Sequence, residues 1–301
     1  MPTRQIREWQ AGQALNRAPN GIHFGFHYSL NPYRGCAHAC RYCYARESHR
    51  YLDLNLAEDF ETRLFAKENL PRRLGAELKK IPVARQIAIG TVTDPYQPLE
   101  SRHRLTEEAL KVLTESGHPF TVTTKSPLIL RDLELLAVLG RRRQVAVNIS
   151  LITLDKALLR ILEPATAPPA RRLETIRRLR AADIPVGLFL APIIPGLTDR
   201  PGEIEELATA AIEAGAAWVM AAPARLSPPL KAYFLNRLRE THPESARMLA
   251  SLYEDRQTPP SAYYDRLRRR IDPVLARHGV SPKPLMPVAY EIVRQTRFVF
   301  D

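Results

Sequence analysis

Cysteine is scarce in this chain: only Cys36, Cys40 and Cys43 occur among 301 residues. An odd number bunched so tightly excludes a disulfide framework. Lysine is sparse as well, 8 residues against 36 arginines, and the 13 glycines are half as many as the 26 prolines, so stiff loops are expected. No apolar run is long enough to cross a membrane. The longest, 184–197, is interrupted by Pro185, Pro192 and Pro195, whereas a spanning helix needs about 20 apolar residues. The opening MPTRQIREWQ has no stretch of secretion-signal type, so a cytoplasmic location without a membrane partner is expected. With 45% hydrophobic and 25% charged residues, extensive disorder is excluded. The length suits one large α/β barrel or two average domains.

What is present is an alternation of strand-like and helix-like segments. Strands are expected over 27–31, 86–90, 120–124, 145–151, 186–192 and 218–222, with amphipathic helices at 41–51, 67–80, 106–116, 128–139, 171–182 and 203–214. Repeated βα units argue for a parallel sheet closed or partly closed into a barrel. From Ala224 the rhythm stops. The remainder reads as helices (LKAYFLNRLRE, ESARMLASLYED, AYYDRLRRRIDPVLARHG) and holds 14 basic against 8 acidic residues.

The cysteines lie in NPYRGCAHACRYCYAR, a C-x3-C-x2-C spacing that lets three thiolates converge on one face of a tight loop. Such a set suits zinc, with His38 or His49 as a fourth ligand, or an iron–sulfur cluster with one iron left without a protein ligand. This motif, followed by GTVTDPYQP at 90–98 and TTKSP at 123–127, resembles the radical S-adenosylmethionine (SAM) superfamily. More narrowly, it resembles the spore photoproduct lyase-like branch, whose members often carry the label DNA repair photolyase. The resemblance runs from about residue 25 to 225. It implies a partial (β/α)6 TIM-type barrel at 25–225, between an N-terminal extension at 1–24 and a basic helical region at 226–301. It also implies that Cys36, Cys40 and Cys43 bind a [4Fe-4S] cluster, that SAM chelates the fourth iron, and that its reductive cleavage releases a 5′-deoxyadenosyl radical. Flavodoxin or ferredoxin would be the electron donor.

In βα barrels, chemistry gathers at the C-terminal ends of the strands. Under the resemblance, Tyr42 would lie against the adenine, and Thr93 and Asp94 would receive the methionine ammonium, with Thr91 beside them. Lys125 would pair with the methionine carboxylate, and the backbone of 192–199 would lie along the adenine. Asn148 and Ser150 share side-chain parity on one strand and are expected to face inward, where ribose hydroxyls, neighbouring side chains or water could satisfy them. Tyr96 and Arg225, near two strand ends, are weaker candidates.

The formal charge of +12 favours a nucleic acid or nucleotide substrate. Arg268, Arg269 and Arg270 beside Tyr263 and Tyr264 suit phosphate contact with base stacking, or else a solvated helix face. The stretch 284–301, ending in Arg297 to Phe300, is expected to fold against the barrel mouth. Spore photoproduct lyase uses a further cysteine to return a hydrogen atom; this chain has no fourth, so a tyrosine such as Tyr96, or the recycled cofactor, would have to donate instead. A peptide or small metabolite is the alternative substrate, and a zinc-stabilised nucleic-acid-binding protein without catalysis the alternative class.

Overall fold

The computed structural model describes residues 3–19 and 25–291. Its main sheet contains six parallel strands in sequential spatial order: β3 (Tyr28–Leu30), β6 (Ile87–Ile89), β7 (Phe120–Thr124), β8 (Val145–Ser150), β9 (Val186–Ile193) and β10 (Val219–Pro223). Each falls within a residue or two of its expected position. The runs were readable because a sheet covered on both faces needs apolar residues nearly throughout; all six residues of β8 are buried. Helices such as Leu105–Ser116, Pro169–Ala181 and Glu203–Glu213 cross between successive strands and pack leucine, isoleucine and valine onto the convex face. The result is the expected partial barrel, with β10 at one edge.

The N-terminal segment is woven into this architecture. β2 (Leu15–Arg17) pairs antiparallel with β3 and forms the other edge of the main sheet. β1 (Gln5–Glu8), β4 (Tyr33–Arg34) and β5 (Arg63–Ala66) make a separate three-stranded sheet in the order β1-β5-β4. Residues 41–51, expected as an α-helix, instead form an extended turn at Cys43 followed by a 3-10 helix, Tyr44–Leu52.

Three helices, Pro228–Arg239, Pro243–Tyr253 and Ser261–His278, follow β10. The last buries Tyr263, Leu267, Ile271, Val274 and Leu275 along one stripe. That period decides the arginine run. Tyr263 donates to Asp199 Oδ2 at 2.7 Å and Arg270 pairs with Glu205 at 2.7 Å, leaving Arg268 and Arg269 exposed. Tyr263 and Arg270 therefore hold the helix to the barrel, and Arg268 and Arg269 stay at its surface.

The chain then runs away from the expected mouth. Val219 N donates to Ser281 O (3.0 Å), Val288 N to Arg143 O (2.9 Å) and Tyr290 N to Gly117 O (2.9 Å). These acceptors and donors sit at the N-terminal ends of β10, β8 and β7, so residues 281–290 strap the base of the barrel. Arg297 to Phe300 lie outside the described residues. Among the described residues no helix is long and apolar enough to cross a membrane.

Candidate functional site

The cysteine loop leaves β4 through Gly35, whose φ of +75° favours glycine. A Cβ there would stand 2.7 Å from Leu64 and 2.9 Å from the Phe60 carbonyl, so only glycine brings Cys36 this close to its scaffold. Cys36 and Cys40 are buried and Cys43 is half-buried.

The loop's carbonyls are held by side chains that local sequence patterning does not reveal. Arg46, fully buried, donates to Cys40 O (2.8 Å), Ala39 O (3.0 Å), Leu56 O (3.1 Å) and Ala57 O (2.6 Å), and pairs with Glu61 Oε2 at 2.6 Å. Gln97, also fully buried, donates to Gly35 O (3.1 Å) and accepts from Ala37 N (2.8 Å). Their signal was weak: Arg46 ends the motif and Gln97 follows Tyr96, but neither position shows that its side chain folds back on the loop.

Thr93 and Asp94 lie beside the loop at the end of β6, as expected, but their polar atoms serve the protein. Thr93 donates to Gly35 O (2.6 Å) and accepts from Gln97 (2.9 Å). Asp94 accepts from Tyr96 N (2.9 Å), Thr124 Oγ1 (2.6 Å) and Lys125 N (2.8 Å), and faces His38 Nδ1 at 3.3 Å. Burial alone would raise its pKa; the His38 imidazole and these hydrogen bonds outweigh burial and hold the carboxyl near 2. Thr91, at the same strand end, accepts from Asn31 Nδ2 at 3.0 Å.

Tyr42 is buried and donates to Glu163, a fully buried carboxylate paired with the equally buried Arg172. Arg172 also donates to Ser150 O at 2.8 Å, tying the signature aromatic to the end of β8. Although burial opposes it, Arg172 and then Lys125 keep Glu163 ionised by lowering its pKa. Glu163 and Arg172 escape sequence reading because 121 residues separate Tyr42 from Glu163.

Lys125 stands near Cys40, Glu163 and Asp94; burial works against its charge, but the Cys40 sulfur once it is a thiolate, and the Glu163 and Asp94 carboxylates, outweigh burial and keep it protonated. Among the described residues its ammonium makes no hydrogen bond or ion pair, and the side chain is half-buried. Tyr44, which sequence reading passed over, is 58% exposed and donates to Thr91 O, spanning the cysteine loop and the end of β6.

Other candidates lie elsewhere. Tyr96 is fully buried, with its hydroxyl 2.9 Å from Asp132 Oδ2, so it cannot face a substrate as a donor. Asn148 does face the concave side, but low in the barrel. It accepts from Trp218 Nε1 at 2.9 Å, and a Cβ on the neighbouring Gly187 would lie 2.2 Å from that ring. Trp218 crosses Gly187 to donate to the amide oxygen, so a neighbouring side chain, one of the partners expected for Asn148, satisfies it. Ser150 is buried at the top of β8, with Oγ 3.4 Å from Ala191 O. Arg225 is exposed and bonded to Gln257. In the 192–199 turn, Thr198 Oγ1 accepts from Ile194 N at 2.8 Å.

The histidines weighed for zinc are turned to other partners: His38 to Asp94, and His49 Nε2 to Arg63 O at 2.9 Å. The cysteines suit a cluster. Burial, and then Asp94, push the Cys36 thiol up to about 12; burial and then Glu163 drive Cys40 well above its ordinary value. Both also feel Cys43. Among the described residues no three His, Cys, Asp or Glu side chains converge to hold a single metal ion, whereas a cluster takes each cysteine on a separate iron.

The Radical SAM superfamily model matches residues 30–209. An uncharacterized protein of Mycobacterium tuberculosis is 37% identical over 269 residues, covering 89% of this chain and 79% of that protein. Among solved structures, spore photoproduct lyase complexed with dinucleoside spore photoproduct superimposes with a TM-score of 0.69 at 13% identity, over 91% of this chain and 79% of that one. A doubly substituted form with AdoMet and dinucleoside spore photoproduct bound gives 0.58 at 14% identity, over 79% and 67%. These structures share the partial-barrel fold, and the superfamily's cofactors are a [4Fe-4S] cluster and SAM. The chain belongs to the radical SAM superfamily and is one of its enzymes.

Proposed function

We propose that Cys36, Cys40 and Cys43 hold the [4Fe-4S] cluster, that SAM completes it, and that the enzyme acts on a nucleic acid or nucleotide. The observation that carries the reading is the Lys125 ammonium. It sits beside Cys40 with no acceptor among the described residues, where a carboxylate would form a charge-assisted contact. When bound, the cofactors supply a 5′-deoxyadenosyl radical by one-electron cleavage of SAM, with flavodoxin or ferredoxin as reductant.

The chain's residues position and shield. Arg46 and Gln97 fix the loop carbonyls; Thr93 and Asp94 lock the β6 turn to the loop and to β7; the Tyr42–Glu163–Arg172 network closes the side toward β8. Lys125 presents the carboxylate-binding charge. Tyr44 offers an exposed aromatic face suited to stacking on a base. Three unpaired cysteines fit a reducing, cytosolic setting.

The nucleic-acid reading is supported by the charge of +12 and by the dinucleoside carried by the structurally similar lyase. All three cysteines belong to the loop, so hydrogen return by a further thiol of this chain is not part of the proposal. Anaerobic reconstitution should give about four irons per chain and, on reduction, 5′-deoxyadenosine; Cys40→Ala should abolish both. A colourless protein with one zinc, or an iron-loaded protein that leaves SAM intact, refutes the proposal. For the substrate, oligonucleotide affinity should fall with added salt; no affinity removes the nucleic-acid reading.

A further inference from the structure

The small sheet beside the cysteine loop carries cations that the chemistry above does not use. Its register sets Arg7 opposite Phe65 and Phe65 opposite Arg34, so these three share a face. Two residues beyond Arg7, Trp9 meets Phe65 edge-on with ring centres 5.8 Å apart. Lys67 follows Phe65 at the same parity. The opposite face, with Tyr33, Leu64 and Ala66, is buried in the core.

Arg34 lies 4.7 Å above the Trp9 ring. Lys67 is 7% exposed. Among the described residues neither Arg34, Lys67 nor Arg7 has a side-chain hydrogen bond or ion pair. Burial, and then Arg34, push the Lys67 ammonium down to about 8. The acids nearby are committed: Glu77 accepts from Ala14 N and Leu15 N at 2.9 Å each, and Asp59 pairs with Arg63 at 3.0 Å. His49, packed on Phe65, is held neutral chiefly by burial. Arg34 is half-buried and Lys67 buried, Arg7 is exposed at the rim, and the one carboxylate that attracts Lys67, Glu77, is already hydrogen-bonded to backbone; a further anion would offset the mutual repulsion of the cations.

The geometry points to a phosphate-binding site made by Arg34, Lys67 and Arg7, with Trp9 as its aromatic wall. A guanidinium matches phosphate through its planar fork, an ammonium adds a point charge, and an indole can take a base that accompanies the phosphate. From Arg34 the chain passes through Gly35 directly to Cys36, so a polynucleotide at the site would run its backbone past this face. That choice of carrier rests on the nucleic-acid reading above; the cation cluster does not.

Only two tryptophans are present, and Trp218 is 1% exposed in the barrel floor, so a ligand-induced change in emission reports on Trp9. The reconstituted full-length chain is titrated with inorganic phosphate and with a short single-stranded oligonucleotide over a salt series, alongside Lys67→Met and the surface change Arg7→Gln. Phosphate should shift emission in the unmodified protein. Each variant should weaken both ligands and reduce the oligonucleotide's log–log salt slope by about 0.7, with iron content unaltered. Phosphate binding that disappears in Lys67→Met without any oligonucleotide affinity supports the site while refuting the polynucleotide carrier. Absence of phosphate binding in the unmodified protein, or identical binding in all three proteins, overturns the site itself.

Discussion

Replacing Arg46 by lysine should damage the cysteine loop while leaving the barrel intact. The arginine is fully buried and makes five polar contacts, four to backbone carbonyls and one to Glu61. A lysine keeps the charge but has only three donors radiating from one atom, against five in a planar fork. At least two of the five acceptors therefore lose their partner. At about 1–3 kcal/mol for each unsatisfied buried group, the loop conformation loses about 2–6 kcal/mol. None of these contacts lies in the main sheet, so the cost falls on local opening of the loop more than on global unfolding. The lower bound corresponds to about 30-fold in the opening equilibrium. Arg46→Lys should retain its far-ultraviolet circular dichroism, while a chelator strips iron from the reconstituted protein at least about 30-fold faster under conditions in which the loop opens and recloses faster than iron is removed. Unchanged iron loss would refute the claim that Arg46 holds the loop in its binding form.

Lys125→Met should weaken SAM binding by about 10- to 150-fold, the equivalent of one charge-assisted hydrogen bond at about 1.5–3 kcal/mol, with iron content unchanged; calorimetry that gives an unaltered affinity counts against the carboxylate role. Asp94 is held near 2, below its unfolded value of 3.8, so its stabilisation is fully present above pH 4 and disappears as pH falls to 2. Asp94→Asn should thus lower stability at pH 7 by about 2 kcal/mol, with denaturant midpoints of the two proteins converging between pH 4 and 2; a gap that persists at pH 2 speaks against this linkage. Arg172→Met strands the Glu163 carboxylate and should cost about 3–5 kcal/mol. With an unfolding entropy of about 2.1 cal/mol/K per residue spread over 301 residues, Tm should drop by about 5–8 °C. Adding Glu163→Gln should restore most of that loss, and calorimetry showing a double variant no better than the single would contradict the ion-pair account.

What the sequence could and could not disclose follows from the range of each signal. The six parallel strands were legible because burial on both faces demands unbroken apolar runs, and the cysteine loop because its ligands lie in one short segment. The two- to four-residue strands of the small sheet carry too few alternations to be read, although they scaffold the loop. Side-chain parity correctly turned Asn148 inward but has no information about height. Register places Asn148 opposite Gly187, near the start of β9, where Trp218 fills the floor. Thr93 and Asp94 show a second limit. Strand-end position brought them to the cysteine loop, yet their hydrogen-bonding capacity is taken up by Gly35 O, Thr124 and Lys125 N, partners defined only by the folded chain. Lys125 is the converse case, a charge for which folding supplies neighbours but no hydrogen-bonded or ion-paired partner among the described residues. Chemical type and approximate location are therefore local properties, whereas the capacity of a polar group to receive a ligand depends on contacts distant in the chain.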